Sequence, residues 1–101
     1  MPVDEYRDQL IEQLRDSAEA GEYLTACFEE SDEAFLLGLR DVVEARGGMA
    51  NLAQATNLNR ETLYRTLSAN GNPRLSSLGL ILQALGLQLN FAASGDGPRA
   101  A

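Results

Sequence analysis

The side chains best suited to chemistry lie together in one short stretch, residues 60–67. Its polar members are Arg60, Glu61, Thr62, Tyr64 and Arg65. Arginine can donate two hydrogen bonds to the O6 and N7 atoms of guanine, glutamate can accept one from cytosine N4, and threonine can touch the methyl group of thymine. The stretch therefore carries side chains of the types that read base edges in the major groove of DNA.

The sequence contains few side chains suited to other kinds of chemistry. The 101 residues include no His, no Trp and a single Cys, and all eight basic residues are Arg. These absences remove the side chains that serve most acid–base, nucleophilic and metal sites near neutral pH. Cys27 lies among apolar residues, which favours a small buried hydrophobe over a reactive thiol. We expect no enzyme activity, no metal and no cofactor.

The sequence also predicts a cellular location. A single Cys cannot form an internal disulfide, no apolar run approaches the length of a membrane span, and the N-terminus is acidic where a secretory signal is basic. We therefore expect a cytoplasmic protein that makes no membrane contact.

Charge is divided unevenly along the chain. The formal net charge of −7 argues by itself against a nucleic-acid partner, because binding to phosphates depends on Lys and Arg. Residues 1–33, however, hold eleven acids and two arginines, whereas between residues 46 and 74 one acid stands against four arginines, Arg46, Arg60, Arg65 and Arg74. We divide the chain into an acidic N-terminal helical arm (1–33), a helix-turn-helix module (34–92) and a flexible tail (93–101).

Helical spacing of apolar residues predicts the elements of the N-terminal half. A first helix over residues 5–14 has a narrow apolar stripe and should project from the core; the stripe is Tyr6, Leu10, Ile11 and Leu14. A capping box, in which Glu19 reaches back to Asp16, starts a second helix that runs to about Glu30. Its expected buried face is Ala20, Tyr23, Leu24, Cys27 and Phe28. A third helix, capped by Ser31 or Asp32, ends at Gly47-Gly48.

Two short helices, 49–56 and 60–67, are separated by three residues in which Asn57 can make the sharp turn and Asn59 can cap the second helix. A helix-turn-helix needs a small residue between its helices, a turn-permissive residue and inner apolar residues. Those roles fit Ala53, Asn57 and Leu63, with Leu52, Leu58 and Leu67 also buried. The polar residues of 60–67 then face outward, and the candidate DNA-binding set is completed by Gln54, Asn59, Ser68 and Arg74.

Two ordinary bundle helices with a solvated outer face would show a similar pattern. Glu61 could equally pair with Arg65 on the surface, since the two are four residues apart on one helix. The pattern alone leaves both interpretations open.

The C-terminal part predicts one helix and one strand. The helix, over residues 75–85, should bury Leu75, Leu78, Ile81, Leu82 and Leu85. Residues 87–91 alternate apolar and polar, as a half-buried strand does, and two such strands could pair in a homodimer through Leu87, Leu89 and Phe91. The expected fold class is all-α: a compact helical bundle that contains a helix-turn-helix and ends in a short C-terminal strand.

The segment from Gly47 to Ser68, with GNPRLSSL at 71–78 and LGL at 85–87, resembles the HigA-like addiction-module antidote proteins. These are antitoxins with a lambda-repressor-like helix-turn-helix, and the resemblance extends loosely over residues 14–92. It implies a dimer that neutralises an mRNA-cleaving toxin of the RelE/HigB type and represses its own operon by binding operator DNA. Residues 60–67 would be the recognition helix.

Toxins of that type are similar to small basic ribonucleases, so the acidic arm is a suitable partner surface. We expect the toxin to bind residues 5–30, at Tyr6, Leu10, Ile11 and Leu14. Alternatively, these acids only maintain solubility.

Two other functions fit the same sequence. A stand-alone transcription regulator would use the same DNA-binding module without a toxin. A helical protein-interaction domain would keep the fold, bind no DNA and use the acidic arm as its working surface.

Overall fold

The computed structural model describes residues 3–95, and all the regular structure in that range is helical. Six helices lie there: α1 Val3–Gln13, α2 Ser17–Glu30, α3 Asp32–Ala45, α4 Gly48–Thr56, α5 Arg60–Thr66 and α6 Leu75–Ala84. Each predicted helix is confirmed to within two residues at either end. The predicted tail lies, from residue 96 onward, outside the described residues. Within residues 3–95, no helix is both long and apolar enough to cross a lipid bilayer.

One apolar core unites the helices, with α3 at its centre. α3 packs against α1, α2 and α4, while α4 also packs against α5 and α6. The buried residues are Leu14, Ala20, Leu24, Leu36, Leu39, Val42, Val43, Met49, Leu52, Leu63, Leu67, Ile81, Leu82 and Leu85. The acidic first third of the chain thus contributes three side chains to the same core as the rest.

α1 lies against the bundle, so the prediction that it projects is wrong. Leu14, just beyond its end, is fully buried, and Leu10 packs against the core. On the polar side, the Arg7 guanidinium donates to Asp41 of α3 at 2.9 Å and also pairs with Glu44. The narrow stripe is therefore largely covered by α3, although Tyr6 remains 66% exposed.

Side-chain caps define the α2–α3 hairpin. The Asp16 carboxylate accepts from the Ala18 amide at 3.0 Å, and the Ser31 hydroxyl accepts from the Ala34 amide at 2.9 Å. The full capping box is not formed, because the Asp16 amide donates to the Gln13 carbonyl and Glu19 accepts from the Gln13 side chain. Gln13, at the end of α1, thus makes the hydrogen bonds that the sequence pattern predicted between Asp16 and Glu19.

The last turn of α6 explains why the described residues contain no strand. Gly86, at φ 76°, donates to the Gln83 carbonyl, and the Leu87 amide donates to the Leu82 carbonyl at 2.8 Å. These two bonds form a Schellman cap, in which the residue after the glycine packs back on the helix. Leu87 is accordingly packed against the core, and residues 88–91 have no extended neighbour with which to pair. The predicted C-terminal strand is absent.

Two residues expected in the core are exposed. Phe28 is 62% exposed and Leu75 is 75% exposed. Each lies at an end of its helix, Phe28 in the last turn of α2 and Leu75 at the first position of α6. At such positions the apolar face of the helix extends past the neighbouring helix that covers the rest of it.

Candidate nucleic-acid interface

The turn between α4 and α5 has the backbone conformation that the sequence predicts. Asn57 adopts φ 61° and ψ 24°, in the left-handed region, and is the sole residue other than glycine to do so within 3–95. Asparagine tolerates this conformation better than most residues. The Thr56 hydroxyl supports the turn by donating to the Leu52 carbonyl at 2.7 Å and accepting from the Leu58 amide at 3.3 Å.

Asn59 begins α5 as a side-chain cap. Its carbonyl oxygen accepts from the amides of Glu61 at 2.8 Å and Thr62 at 3.3 Å. Two of the amides that a helix leaves unpaired at its start are thereby satisfied. The predicted cap is confirmed, and Asn59 therefore acts first as the residue that fixes the start of α5.

α5 presents its polar side chains to solvent and its apolar ones to the core. Leu63 and Leu67, in and just after the helix, are fully buried. The exposed residues are Arg60, Glu61, Thr62, Tyr64 and Arg65. The structure thus brings the five predicted base-reading residues together on the outer side of one helix.

The arginines separate into two groups by their partners. Arg7 and Arg15 form ion pairs with carboxylates, and Arg46 donates to the Arg15 carbonyl at 3.0 Å and the Ser17 hydroxyl at 3.1 Å. In the part of the chain that the structure describes, by contrast, four exposed arginines have side chains with neither a carboxylate nor a hydrogen-bond partner: Arg40, Arg60, Arg65 and Arg74.

These partners determine which arginines between residues 46 and 74 have a guanidinium group available to bind a ligand. Arg46 belongs to the scaffold, because it ties the α1–α2 connection to the end of α3. Among residues 3–95, the alternative ion pair between Glu61 and Arg65 is not formed. Both α5 guanidinium groups are free to bind an anion.

Arg40 is a further member of this surface that sequence reasoning missed. It lies on α3, is exposed, and places its guanidinium carbon 5.8 Å from the centroid of the Tyr64 ring. This is a cation–π contact, which holds the cation beside α5. The pairing joins residues that are far apart in sequence, so no local spacing could have indicated it.

The loop after α5 returns close to that helix. The Ser68 hydroxyl donates to the Arg65 carbonyl at 2.8 Å, so this side chain is engaged by the protein. At Gly71 an added β-carbon would lie 1.9 Å from the Thr66 carbonyl oxygen, which requires glycine. Arg74 follows as the N-cap residue of α6, while Gln54 lies exposed on α4. Gly71 therefore holds the loop against the end of α5, and the loop leads to Arg74 at the start of α6.

Comparison with known proteins identifies the family. A family model described as "probable addiction module antidote protein" matches residues 6–93. The chain belongs to this antidote family. It is also similar to an uncharacterized protein of Haemophilus influenzae, with 33% identity over 86 residues that cover 84% of this chain and 88% of that protein. No solved structure matches the chain.

Membership of the antidote family supports an antitoxin role and implies a toxin partner of some kind. Of the four residues predicted to bind it, Tyr6 is exposed and Leu10 and Ile11 are partly buried. Leu14 is fully buried and cannot contact a partner in this conformation. The expected dimer contacts divide in the same way, since Leu87 packs against the core whereas Leu89 and Phe91 are exposed.

The thiol of this antidote-family chain lies between α2 and α3. Burial raises the pKa of Cys27 above its ordinary value of 9.0, with Asp41 and Glu30 raising it further. Burial also raises the pKa of Tyr23, whose hydroxyl donates to Asp41 at 2.8 Å. Both groups stay protonated at neutral pH, so the thiol is a poor nucleophile there.

Proposed function

We propose that the chain is the antitoxin of a type II toxin–antitoxin module. It neutralises a basic, RelE/HigB-like, mRNA-cleaving toxin in the cytoplasm and represses its own operon by binding operator DNA as a homodimer. The antitoxin role is supported by the antidote family. The observation that carries the DNA-binding part is the set of unpaired arginines on and beside α5.

DNA recognition follows from how α5 is held. Leu63 and Leu67 anchor it in the core, and the Asn59 cap and the Asn57 turn fix its start. Its exposed Arg60 and Arg65 are then available to bond guanine edges, while Arg40, which contacts Tyr64, and Arg74, at the start of α6, are available to bind phosphates. The local arrangement of guanidinium groups, rather than the net charge, favours a DNA partner.

A homodimer suits both the DNA and the charge of the molecule. One short helix reads few base pairs, and a two-fold dimer reads two half-sites about one turn of duplex apart. Residues 75–95 contain no charged residue, although they include the exposed Leu75, Leu80, Leu89 and Phe91. A contact between two copies through these residues would involve no charged side chain of the segment.

The test of DNA binding is a titration of the DNA upstream of the gene, by footprinting and fluorescence anisotropy. Arg60→Ala and Arg65→Ala should each weaken binding by about 1–3 kcal/mol and relax base preference, without loss of helix content. Arg15→Ala is the matched control, because Arg15 is also an exposed arginine, and its side chain pairs with Glu12 on the acidic arm. It should leave the affinity nearly unchanged.

The same titration separates the alternative functions. Exposed aromatic side chains such as Phe28 favour a protein-interaction domain. That function would be preferred if no upstream site were protected even at low salt. A stand-alone regulator would protect its site and copurify with no basic partner encoded beside it.

A further inference from the structure

The α2–α3 hairpin ends in an exposed pair of aromatic rings. Phe28 and Phe35 meet edge to face, with their centroids 5.4 Å apart and their planes at 86°. Phe35 packs against the core, whereas Phe28 is 62% exposed. A phenylalanine held by a second ring and still open to water presents a preorganised apolar contact, the kind that anchors protein interfaces.

Four carboxylates lie at the same end of the hairpin as this pair of rings. The last two residues of α2 and the first two of α3 are acidic and exposed: Glu29, Glu30, Asp32 and Glu33. None of the four is in an ion pair or side-chain hydrogen bond with another described residue. We call the two phenylalanines and these four acids the aromatic tip.

Two of these acids stand where they weaken their own helix. The C-terminus of a helix carries partial negative charge, and acids there are unfavourable. Glu29 and Glu30 occupy the last turn of α2, which contains no basic residue. A residue that destabilises its own helix and has no partner inside the protein is expected at a site where function requires it.

We propose that the aromatic tip is the docking surface for a basic protein, which receives Phe28 in an apolar pocket bordered by Lys or Arg. This inference rests on the proposed antitoxin function and names the surface that recognises the toxin. It replaces the stripe of α1, because Leu14 is fully buried and Leu10 packs against the core, while Phe28 contacts Phe35 and remains 62% exposed. The acidic rim steers the encounter and the ring supplies the buried contact.

The charge of the tip excludes the other occupants. DNA would bring phosphates against four carboxylates, and the tips of two copies meeting symmetrically would bring eight carboxylates together. Only a basic partner makes favourable contacts with both the Phe28 ring and the four acids.

The test uses the purified basic protein encoded beside this chain's gene, and measures its affinity for the full chain by calorimetry. Phe28→Ser should weaken binding at least about tenfold, the effect typical of a hot-spot aromatic. Leu37→Ser is the matched control, since Leu37 is an exposed apolar side chain of α3 that lies outside the aromatic tip, and it should change affinity less than about threefold. Both variants should keep the helical circular dichroism of the wild type.

A second variant separates recognition from structure. Glu29→Gln with Glu30→Gln removes charge from the C-terminal turn of α2, so the free chain should melt at the same or a higher temperature. The complex should nevertheless form more slowly and depend less on salt. A purely structural role for these acids would instead lower the melting temperature.

The outcomes are distinct. If the wild type binds the basic protein and Phe28→Ser binds as tightly as Leu37→Ser or more tightly, the aromatic tip is wrong while the antitoxin function stands. If the Gln variant binds at the wild-type rate with an unchanged salt dependence, the acidic rim is wrong. If the wild type forms no complex, or no basic protein is encoded beside the gene, both the inference and the proposed antitoxin function fail.

Discussion

Close approach between α2 and α3 depends on two small residues. A β-carbon at Gly38 would lie 2.7 Å from the Cys27 sulfur and 3.2 Å from the Cys27 β-carbon. Gly38 is buried in the middle of α3, where its low helix propensity is itself unfavourable. Packing therefore decides this position against local preference, and Cys27 is better understood as a packing residue than as a thiol site.

We predict that Gly38→Ala destabilises the protein by about 1–3 kcal/mol, the usual penalty for overfilling a packed core. Adding Cys27→Ala should recover part of that loss, because it removes the sulfur that the new methyl group meets. Urea unfolding of the four members of the double-mutant cycle measures the coupling. Gly21→Ala is the control, since a β-carbon there meets no other atom within 4 Å. It should stabilise α2 by about 0.5–1 kcal/mol.

At the scale of elements, most helix boundaries are local chemistry. The Asn57 turn, the Asn59 cap and the Ser31 cap are all made by residues within three positions of the boundary that they define. The predicted capping box fails for the opposite reason, because Gln13 of α1 supplies the partners for Asp16 and Glu19. Boundaries become unpredictable where another element competes for the same groups.

The α4–α5 turn gives a prediction at this scale. Asn57→Gly should be close to neutral, because glycine adopts φ 61° without strain. Asn57→Val should destabilise the protein by about 1–2 kcal/mol or more, because a β-branched residue is strained in the left-handed region. Thermal unfolding measures both, and equal stability of the two variants would show that the turn does not constrain the fold. The affinity for upstream DNA should fall with Val and persist with Gly.

For the whole molecule, the distribution of charge matters more than its sum. The acids are concentrated in residues 1–33, and residues 75–95 carry no charge. The acidic segment is also part of the core through Leu14, Ala20 and Leu24. It follows that removing residues 1–33 would expose apolar core and would not yield a simple DNA-binding fragment.

The uncharged C-terminal surface gives the prediction for the whole molecule. At micromolar concentration, light scattering should report a dimer for the wild type. Leu89→Asp with Phe91→Asp should give a monomer, because four new charges per dimer would face each other. Both residues are exposed, so the helical fold should persist. A monomeric wild type would exclude this dimer, and a dimeric variant would place the interface elsewhere.

The sequence alone determined the six helices, the turn and cap between α4 and α5, and the outward position of the five polar residues of α5. These features depend on spacing and on hydrogen bonds between near neighbours, which the order of residues encodes directly. The sequence segments around α4 and α5 also showed the resemblance to antidote proteins, and family membership confirms it.

Tertiary structure decided which apolar faces are covered and which charges are free. Leu14 is buried while Phe28 and Leu75 are exposed. The spacing of apolar residues identifies the apolar face of a helix, but it does not tell how far a neighbouring helix covers that face. Arg46 is engaged by the α1–α2 connection, and Arg40 meets Tyr64 across two helices. Such contacts join residues distant in sequence, so they exist only once the helices have packed.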